Sequence, residues 1–205
     1  MDNTSTPIKG AIFDWAGVFC SPGEPFSHPK LTDLTGLSVD ELGKATEELQ
    51  GQYYRGHISS EVFWGDVLKK FHLTLSPQEL SAAYLSSYQL YPEMLTLAQK
   101  IRAKMPTALL SNLTSEMMHD IVRKHLVDRY FDYLLFSNEI GCMKPEHEAY
   151  HLALKKLGTP PQATIFIDDS ARNVAAAKAL GLHTILFTSP AQCKKELSAL
   201  VDFAV

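Results

Sequence analysis

Residues 164–170 read Thr-Ile-Phe-Ile-Asp-Asp-Ser. An apolar, non-alternating run leads straight into two adjacent carboxylates. Short continuous apolar runs are the pattern of parallel strands covered on both faces. Two like charges side by side repel unless something cationic separates them. The stretch therefore predicts a buried strand whose carboxyl end brings two aspartates, Asp168 and Asp169, to one point.

The same texture recurs to either side. Residues 8–13 run into Asp14, 107–110 into Ser111-Asn112, and 133–136 lie ahead of Lys144-Pro145; a fifth run covers 183–187. Helical spacing lies between them, as in Met117-Ile121-His125 and Tyr150-Leu154-Leu157. Gly158 and Gly181 stand where C′ glycines would end helices over 146–157 and 171–180. Strand–helix alternation of this kind predicts an α/β fold, a doubly wound parallel sheet with right-handed crossovers.

Residues 21–91 read differently, with helix-start signals and no strand. Ser38 precedes Glu41, Ser59 precedes Glu61, and Ser76-Pro77-Gln78-Glu79 combines an N-cap, an N1 proline and an N3 glutamate. A segment that long is not a loop. It predicts a small helical cap domain over 21–91, inserted into a core domain formed by 1–20 and 92–205. Ser21-Pro22-Gly23-Glu24-Pro25 and Tyr91-Pro92 are the expected hinges.

The chain has 205 residues, 45% hydrophobic and 20% charged, which suits one globular core carrying an insert. Lys+Arg number 19 and Asp+Glu 23, a net charge of −4 with no basic cluster, so neither nucleic acid nor a membrane surface is an expected partner. Met1 to Pro7 lacks the apolar segment of a secretory signal. The 3 cysteines, Cys20, Cys142 and Cys193, are scattered without a CxxC pair. A reducing, cytoplasmic location is the expectation.

The chemistry gathers at strand ends. In open parallel sheets, ligands bind outside the carboxyl ends of the strands. Asp14, Ser111-Asn112, Lys144 and Asp168-Asp169 all fall there or open the following helix. Carboxylates of this kind suit Mg²⁺, a hard cation that takes oxygen ligands. Serine and lysine suit the remaining oxygens of a phosphate.

In this order and spacing, the residues resemble the haloacid dehalogenase (HAD) superfamily of hydrolases over roughly 8–189. The resemblance is closest to branches with a small helical cap, such as the phosphatase domain of epoxide hydrolases and bacterial glucose-1-phosphatases. Tyr54-Arg55-Gly56-His57-Ile58-Ser59 with Phe63-Trp64 is similar to that cap signature. Lys144-Pro145 through Tyr150, and Phe166-Ile167-Asp168-Asp169-Ser170 with Asn173-Val174, are similar to its last two motifs. The resemblance implies a HAD-like Rossmannoid core and a phosphatase for small phosphorylated metabolites. It implies Asp14 as nucleophile through an aspartyl-phosphate, Ser111, Asn112 and Lys144 as phosphate-binding groups, and Mg²⁺ held by Asp14, Asp168, Asp169 and the Ala16 carbonyl. Asp169 is the expected direct ligand of the acidic pair.

One position departs from the family. Most of its phosphatases carry a second aspartate two residues after the nucleophile, as general acid and base; here that residue is Ala16. General acid–base help is typically worth ~10²–10⁴ in rate. Three readings follow: a phosphatase for good leaving groups, a phosphonoacetaldehyde-type hydrolase using a cap lysine (Lys30 or Lys44) as Schiff base, or a phosphate-binding relative weak in catalysis. A dehalogenase would have no use for Asp168-Asp169.

His147-Glu148-Ala149-Tyr150-His151 is a literal HExxH, which on a helix can hold zinc. No third ligand follows at a known spacing, so these histidines are expected on the outer face of their helix. Tyr53, Tyr54, Phe63, Trp64 and Phe71 are expected inside the cap. Trp15 is expected to pack at the cap entrance, and Cys20 to be a buried structural thiol.

Overall fold

The computed structural model describes residues 6–21, 29–86 and 89–204. Five parallel strands form one sheet in the order β3-β2-β1-β4-β5. They are β1 (Gly10–Phe13), β2 (Thr107–Ser111), β3 (Tyr133–Phe136), β4 (Thr164–Asp168) and β5 (His183–Leu186). The chain passes from β1 outward through β2 and β3, then returns to the other side of β1 for β4. The order thus reverses direction at β1, and the carboxyl ends there flank a crevice.

Phe13 pairs in register with Leu109 of β2 and Ile167 of β4. The ladder runs one residue further, Asp14 N–H donating to Ile167 C=O at 2.9 Å. That register sets Asp14 level with Asp168, with Ser111 one residue further along β2. β1, β2 and β4 are buried throughout. Phe13, Leu109 and Ile167 face one apolar cluster, and Ile12, Leu110 and Phe166 the other. Both faces being covered explains why these strands read as unbroken apolar runs.

Helices α1 (Pro29–Thr35), α2 (Val39–Tyr54), α3 (Ser60–Lys70) and α4 (Pro77–Leu85) lie between β1 and β2, followed by α5 (Pro92–Arg102). Beyond β2 come α6 (Ser115–His125), α7 (Ser137–Ile140), α8 (His147–Leu157), α9 (Ala171–Ala179) and α10 (Pro190–Ser198). Ser38, Ser59 and Ser76 are all N-caps. Ser38 with Glu41 and Ser76 with Glu79 form complete capping boxes, whereas at Ser59 the N3 residue is Val62. The insert is stitched by aromatic contacts: Tyr53 stacks on Phe63 at 4.2 Å, and Phe63–Trp64 and Trp64–Tyr84 meet edge to face. Its apolar residues join the cluster on the Phe13 face of the sheet. Burying side chains of that size is worth about 1.5–3 kcal/mol each. Where the insert leaves and rejoins the sheet, its two ends hydrogen-bond each other: Ser21 N–H to Gln89 C=O at 2.7 Å, and Tyr91 N–H to Phe19 C=O at 2.8 Å.

Several local expectations are corrected. β1 begins at Gly10 rather than Ile8, and β5 ends at Leu186. Lys144-Pro145 does not open α8; it lies in a turn, and Glu146 is the N-cap. Trp15 packs where the insert leaves the sheet, between Phe19 (5.5 Å) and His125 of α6 (5.9 Å). The expected hinge residues Pro22, Gly23, Glu24 and Pro25 lie outside the described residues. His147 and His151 are exposed, as their helix face predicts. Cys20 is buried, which pushes its thiol up to about 12. No helix among the described residues is long and apolar enough to cross a membrane.

Asp132 fastens the amino end of β2. It accepts from Thr107 N–H at 2.9 Å and from Arg102 Nε at 2.9 Å. Burial works to raise its carboxyl, but the Thr107 bond and Arg102 outweigh it and hold it below the usual 3.8. A depressed folded value gives stability that is present above the unfolded value and lost as pH falls through the folded one. Asp132→Asn should therefore cost about 1 kcal/mol at neutral pH, discounted because the carboxylate is 32% exposed. That cost should vanish in urea unfolding well below pH 3.8.

Candidate active site

Asp14, Ser111, Lys144 and Asp168 are polar side chains buried at the carboxyl ends of β1, β2 and β4. Isolated charges do not survive burial, and these are paired. Lys144 Nζ sits 2.8 Å from Asp14 Oδ1 and 2.7 Å from Asp168 Oδ2, and 5.6 Å above the Phe166 ring.

Asp14 is held by one oxygen. Trp15 N–H (2.6 Å), Ser111 Oγ (2.7 Å) and Lys144 Nζ (2.8 Å) all converge on Oδ1. Oδ2 takes none of these bonds. An anchored carboxylate with one oxygen outside its anchoring contacts is the arrangement a positioned nucleophile requires. Burial pushes the Asp14 carboxyl up to about 7 against the pull of Lys144. Lys144 is lowered by burial but raised more strongly by Asp14 and Asp168, so its net direction is upward and the ammonium persists.

Asp168 and Asp169 have separate environments. Asp168 is fully enclosed, taking Lys144 on Oδ2 and Ser170 N–H on Oδ1 (2.8 Å), with Asn173 Nδ2 at 3.1–3.2 Å from both oxygens. Asp169 is exposed, its carboxyl raised by burial and then by the charge of Asp168. Carboxylate oxygens of Asp14, Asp168 and Asp169 lie within 4.8 Å of one another. One lysine against three carboxylates leaves two negative charges uncompensated. A hard divalent cation matches both the charge and the all-oxygen donor set.

Gly17 explains itself by proximity. Its φ is +80°, and a Cβ there would lie 1.9 Å from Asp169 Oδ2. The turn after Asp14 thus brings bare backbone against the Asp169 carboxylate. Ala16, half-buried, contributes no acid at this point.

Asn112 sits one step away from the carboxylates. Its amide donates to Lys144 C=O (2.8 Å) and accepts from Lys144 N–H (2.9 Å), so the side chain holds the lysine's main chain. The sequence placed Asn173 in the last motif without a role; the structure sets its amide over Asp168. Sequence reading missed Ser137 and Glu146, which meet their partners only in three dimensions. Lys30 and Lys44 are exposed on α1 and α2, Lys30 donating to Ser86 C=O at 3.1 Å.

The fold is an α/β sheet with a buried carboxylate–lysine centre at the carboxyl ends of its strands. A family model of haloacid dehalogenase-like hydrolases matches residues 8–181, and the chain belongs to that family of enzymes. It is 31% identical over 163 residues to acyl-CoA dehydrogenase family member 10 of Mus musculus, covering 74% of this chain but 15% of that protein. It is 28% identical over 201 residues to the sesquiterpene phosphatase astK of Aspergillus oryzae, covering 96% of this chain and 98% of the relative. Among solved structures, a HAD family enzyme of Bacteroides thetaiotaomicron superposes with a TM-score of 0.79 at 23% identity, over 89% of this chain and 94% of that one.

Proposed function

We propose that this hydrolase is a Mg²⁺-dependent phosphatase acting on small organic phosphates through an aspartyl-phosphate on Asp14. The observation that carries the reading is the anchoring of Asp14 by three donors on Oδ1, beside a buried lysine and within reach of Asp169. In the first step Asp14 Oδ2 forms a bond to phosphorus and the ester P–O bond breaks, the departing oxygen taking its proton from water. In the second, water attacks the phosphorus, phosphate leaves and the Asp14 carboxylate is restored. Ser111 and Lys144 hold Asp14 in line and face the phosphate oxygens, while Asn112 fixes the lysine's backbone. Asp14, Asp169 and the Ala16 carbonyl are the groups that would hold Mg²⁺, with Asp168 anchoring Lys144 beside them; the cation supplies charge neutralisation at the phosphate.

The phosphatase reading also draws on astK, whose name describes a sesquiterpene phosphatase. One structure of the Bacteroides enzyme is a complex with magnesium and inorganic phosphate. Haloacid dehalogenases occur among the relatives too, but a haloacid would leave the charge excess at Asp168 and Asp169 without a use. We read 21–91 as a cap over a core of 1–20 and 92–205.

The cation is testable without turnover. Binding to the folded state alone raises stability by mass action. Millimolar Mg²⁺ should raise the melting temperature, and Asp169→Ala should abolish the rise. An unshifted wild type would remove the metal from the account.

Substrate preference should follow from Ala16. With no acid there, the rate should depend steeply on leaving-group acidity, with acyl and aryl phosphates outrunning glycerol phosphate. A terpenyl monophosphate belongs in the same panel. Ala16→Asp should flatten the dependence and speed the poorest leaving groups by up to ~10²-fold. The check is log kcat/KM against leaving-group pKa, with and without Mg²⁺. Equal shallow slopes would mean another group already supplies the proton.

A further inference from the structure

Four consecutive residues at the end of α2 reach out of the insert. Tyr53 Oη donates to Glu116 Oε2 on α6 at 2.9 Å. Tyr54 C=O accepts from Ser137 Oγ at 2.6 Å. Arg55 Nη2 pairs with Glu146 Oε1, and Arg55 Nη1 donates to Gly51 C=O at 3.0 Å. Gly56, with φ +71°, lies so close to α7 that a Cβ would stand 2.5 Å from Asn138 C=O.

The places where they land carry the argument. Ser137 Oγ accepts from Leu113 N–H at 3.0 Å, fixing the turn two residues beyond Ser111. Glu146 Oε2 accepts from Met143 N–H at 3.3 Å, and Glu146 N–H donates to Met143 C=O at 2.8 Å. Those bonds close the turn that contains Lys144, whose main chain Asn112 brackets from the other side. Arg55 therefore grips the residue that shapes the lysine's turn. Side chains of Arg55 and Glu146 are 28% and 40% exposed, so the pair adds little to overall stability. The guanidinium is nevertheless fixed at two points, Gly51 C=O on its own helix and Glu146 across from it, which orients it and fits a role in placement.

We propose that Arg55 is a positioning residue. Through Glu146, and with Ser137 seating Tyr54 alongside, it sets the turn that presents Lys144 to Asp14, so the docked 53–56 segment tunes the phosphate-handling centre. Its effect on turnover rests on the phosphatase reading; its effect on the 143–146 turn does not. Both Arg55 Nη atoms are engaged by protein acceptors, which separates this role from direct capture of a substrate anion.

The experiment compares Arg55→Met and Glu146→Gln, singly and combined, with Arg55→Lys alongside. The first readout is hydrogen exchange of peptides spanning 143–147 and 111–113 in the free protein. Arg55→Met should speed exchange there while the melting temperature stays near that of the wild type. The second is turnover of p-nitrophenyl phosphate with Mg²⁺. Each single change should lower kcat by about tenfold with KM moved less than about twofold. The double variant should be no worse than either single, and Arg55→Lys should recover part of kcat. Unchanged exchange at 143–147 would overturn the proposal even if the protein hydrolysed no phosphate ester. Effects that multiply in the double variant would overturn it as well, as would a rise in KM alone, which would make Arg55 a substrate contact. A wild type without phosphatase activity whose exchange still responds to Arg55→Met would retire the function reading and keep the positioning role.

Discussion

Asp14→Asn should lower kcat by at least about 10³-fold and leave the protein folded. The two halves of that expectation have different origins. Asparagine has the shape of aspartate, so Trp15 N–H and Ser111 Oγ keep an acceptor at the position of Oδ1. Lys144 keeps Asp168 as its partner at 2.7 Å. What disappears is the carboxylate oxygen that, in the proposed mechanism, attacks phosphorus. An amide is a poor nucleophile, and its phosphorylated form offers no comparable route to hydrolysis. Steady-state kinetics with an aryl phosphate, beside a thermal melt, separates loss of chemistry from loss of structure. Near-native turnover by a homogeneous Asp14→Asn preparation would rule out attack by Asp14.

Lys144→Met should be costly on both counts. Lys144 is 2% exposed and is the cation between Asp14 and Asp168. Breaking a buried ion pair by removing one partner typically costs 3–5 kcal/mol, about the whole margin of a marginal domain. The fold can soften that loss by protonating a carboxylate, and Asp14, which burial already pushes up to about 7, can take that proton. A protonated Asp14 cannot attack, so activity should fall together with stability, by about 10²-fold or more. Lys144→Met combined with Asp168→Asn should regain much of the stability, because one stranded charge is then gone, yet none of the activity. Urea unfolding of the three proteins checks the first statement and kcat the second. A single Lys144→Met variant as stable as wild type would mean that solvent, rather than the lysine, neutralises this centre.

The sheet was legible because its strands are covered on both faces. Residues 165–167 alternate between two apolar clusters, so neither face needs polar residues there and the run reads as continuous. Helix starts were legible where the signal is local: Ser38, Ser59 and Ser76 each accept from a backbone N–H three residues on. Asp14, Ser111, Lys144 and Asp168 were readable from strand ends, since the sheet's register brings Asp14 level with Asp168 and within one residue of Ser111, and the turn after α7 supplies the lysine.

Long-range engagement was not legible. Nothing within the residues beside Asn112 says that its amide faces the main chain of Lys144, 32 positions on. Arg55 and Glu146 are 91 positions apart, and each taken singly reads as a surface charge. Lys144-Pro145 looked like a helix start because proline favours the first helical turn. The chain instead makes a turn there, and the helix waits for Glu146 to act as its N-cap. Trp15 stacks on Phe19 nearby, but its second partner, His125 of α6, is a long-range one.

The central claim is that Asp14 becomes phosphorylated during turnover, and Ala16 makes this unusually open to test. Without a carboxylate two residues after the nucleophile, no side chain at that position activates water against the aspartyl-phosphate. Breakdown should then lag behind formation, and the intermediate should accumulate with a good leaving group. The measurement is rapid acid quench of the wild type during hydrolysis of an aryl phosphate in Mg²⁺, followed by borohydride reduction and peptide mapping. The account predicts a single modified residue, Asp14, formed within the first turnover, and much less of it at steady state in Ala16→Asp. Sustained turnover with Asp14 unmodified at every quench time would contradict it.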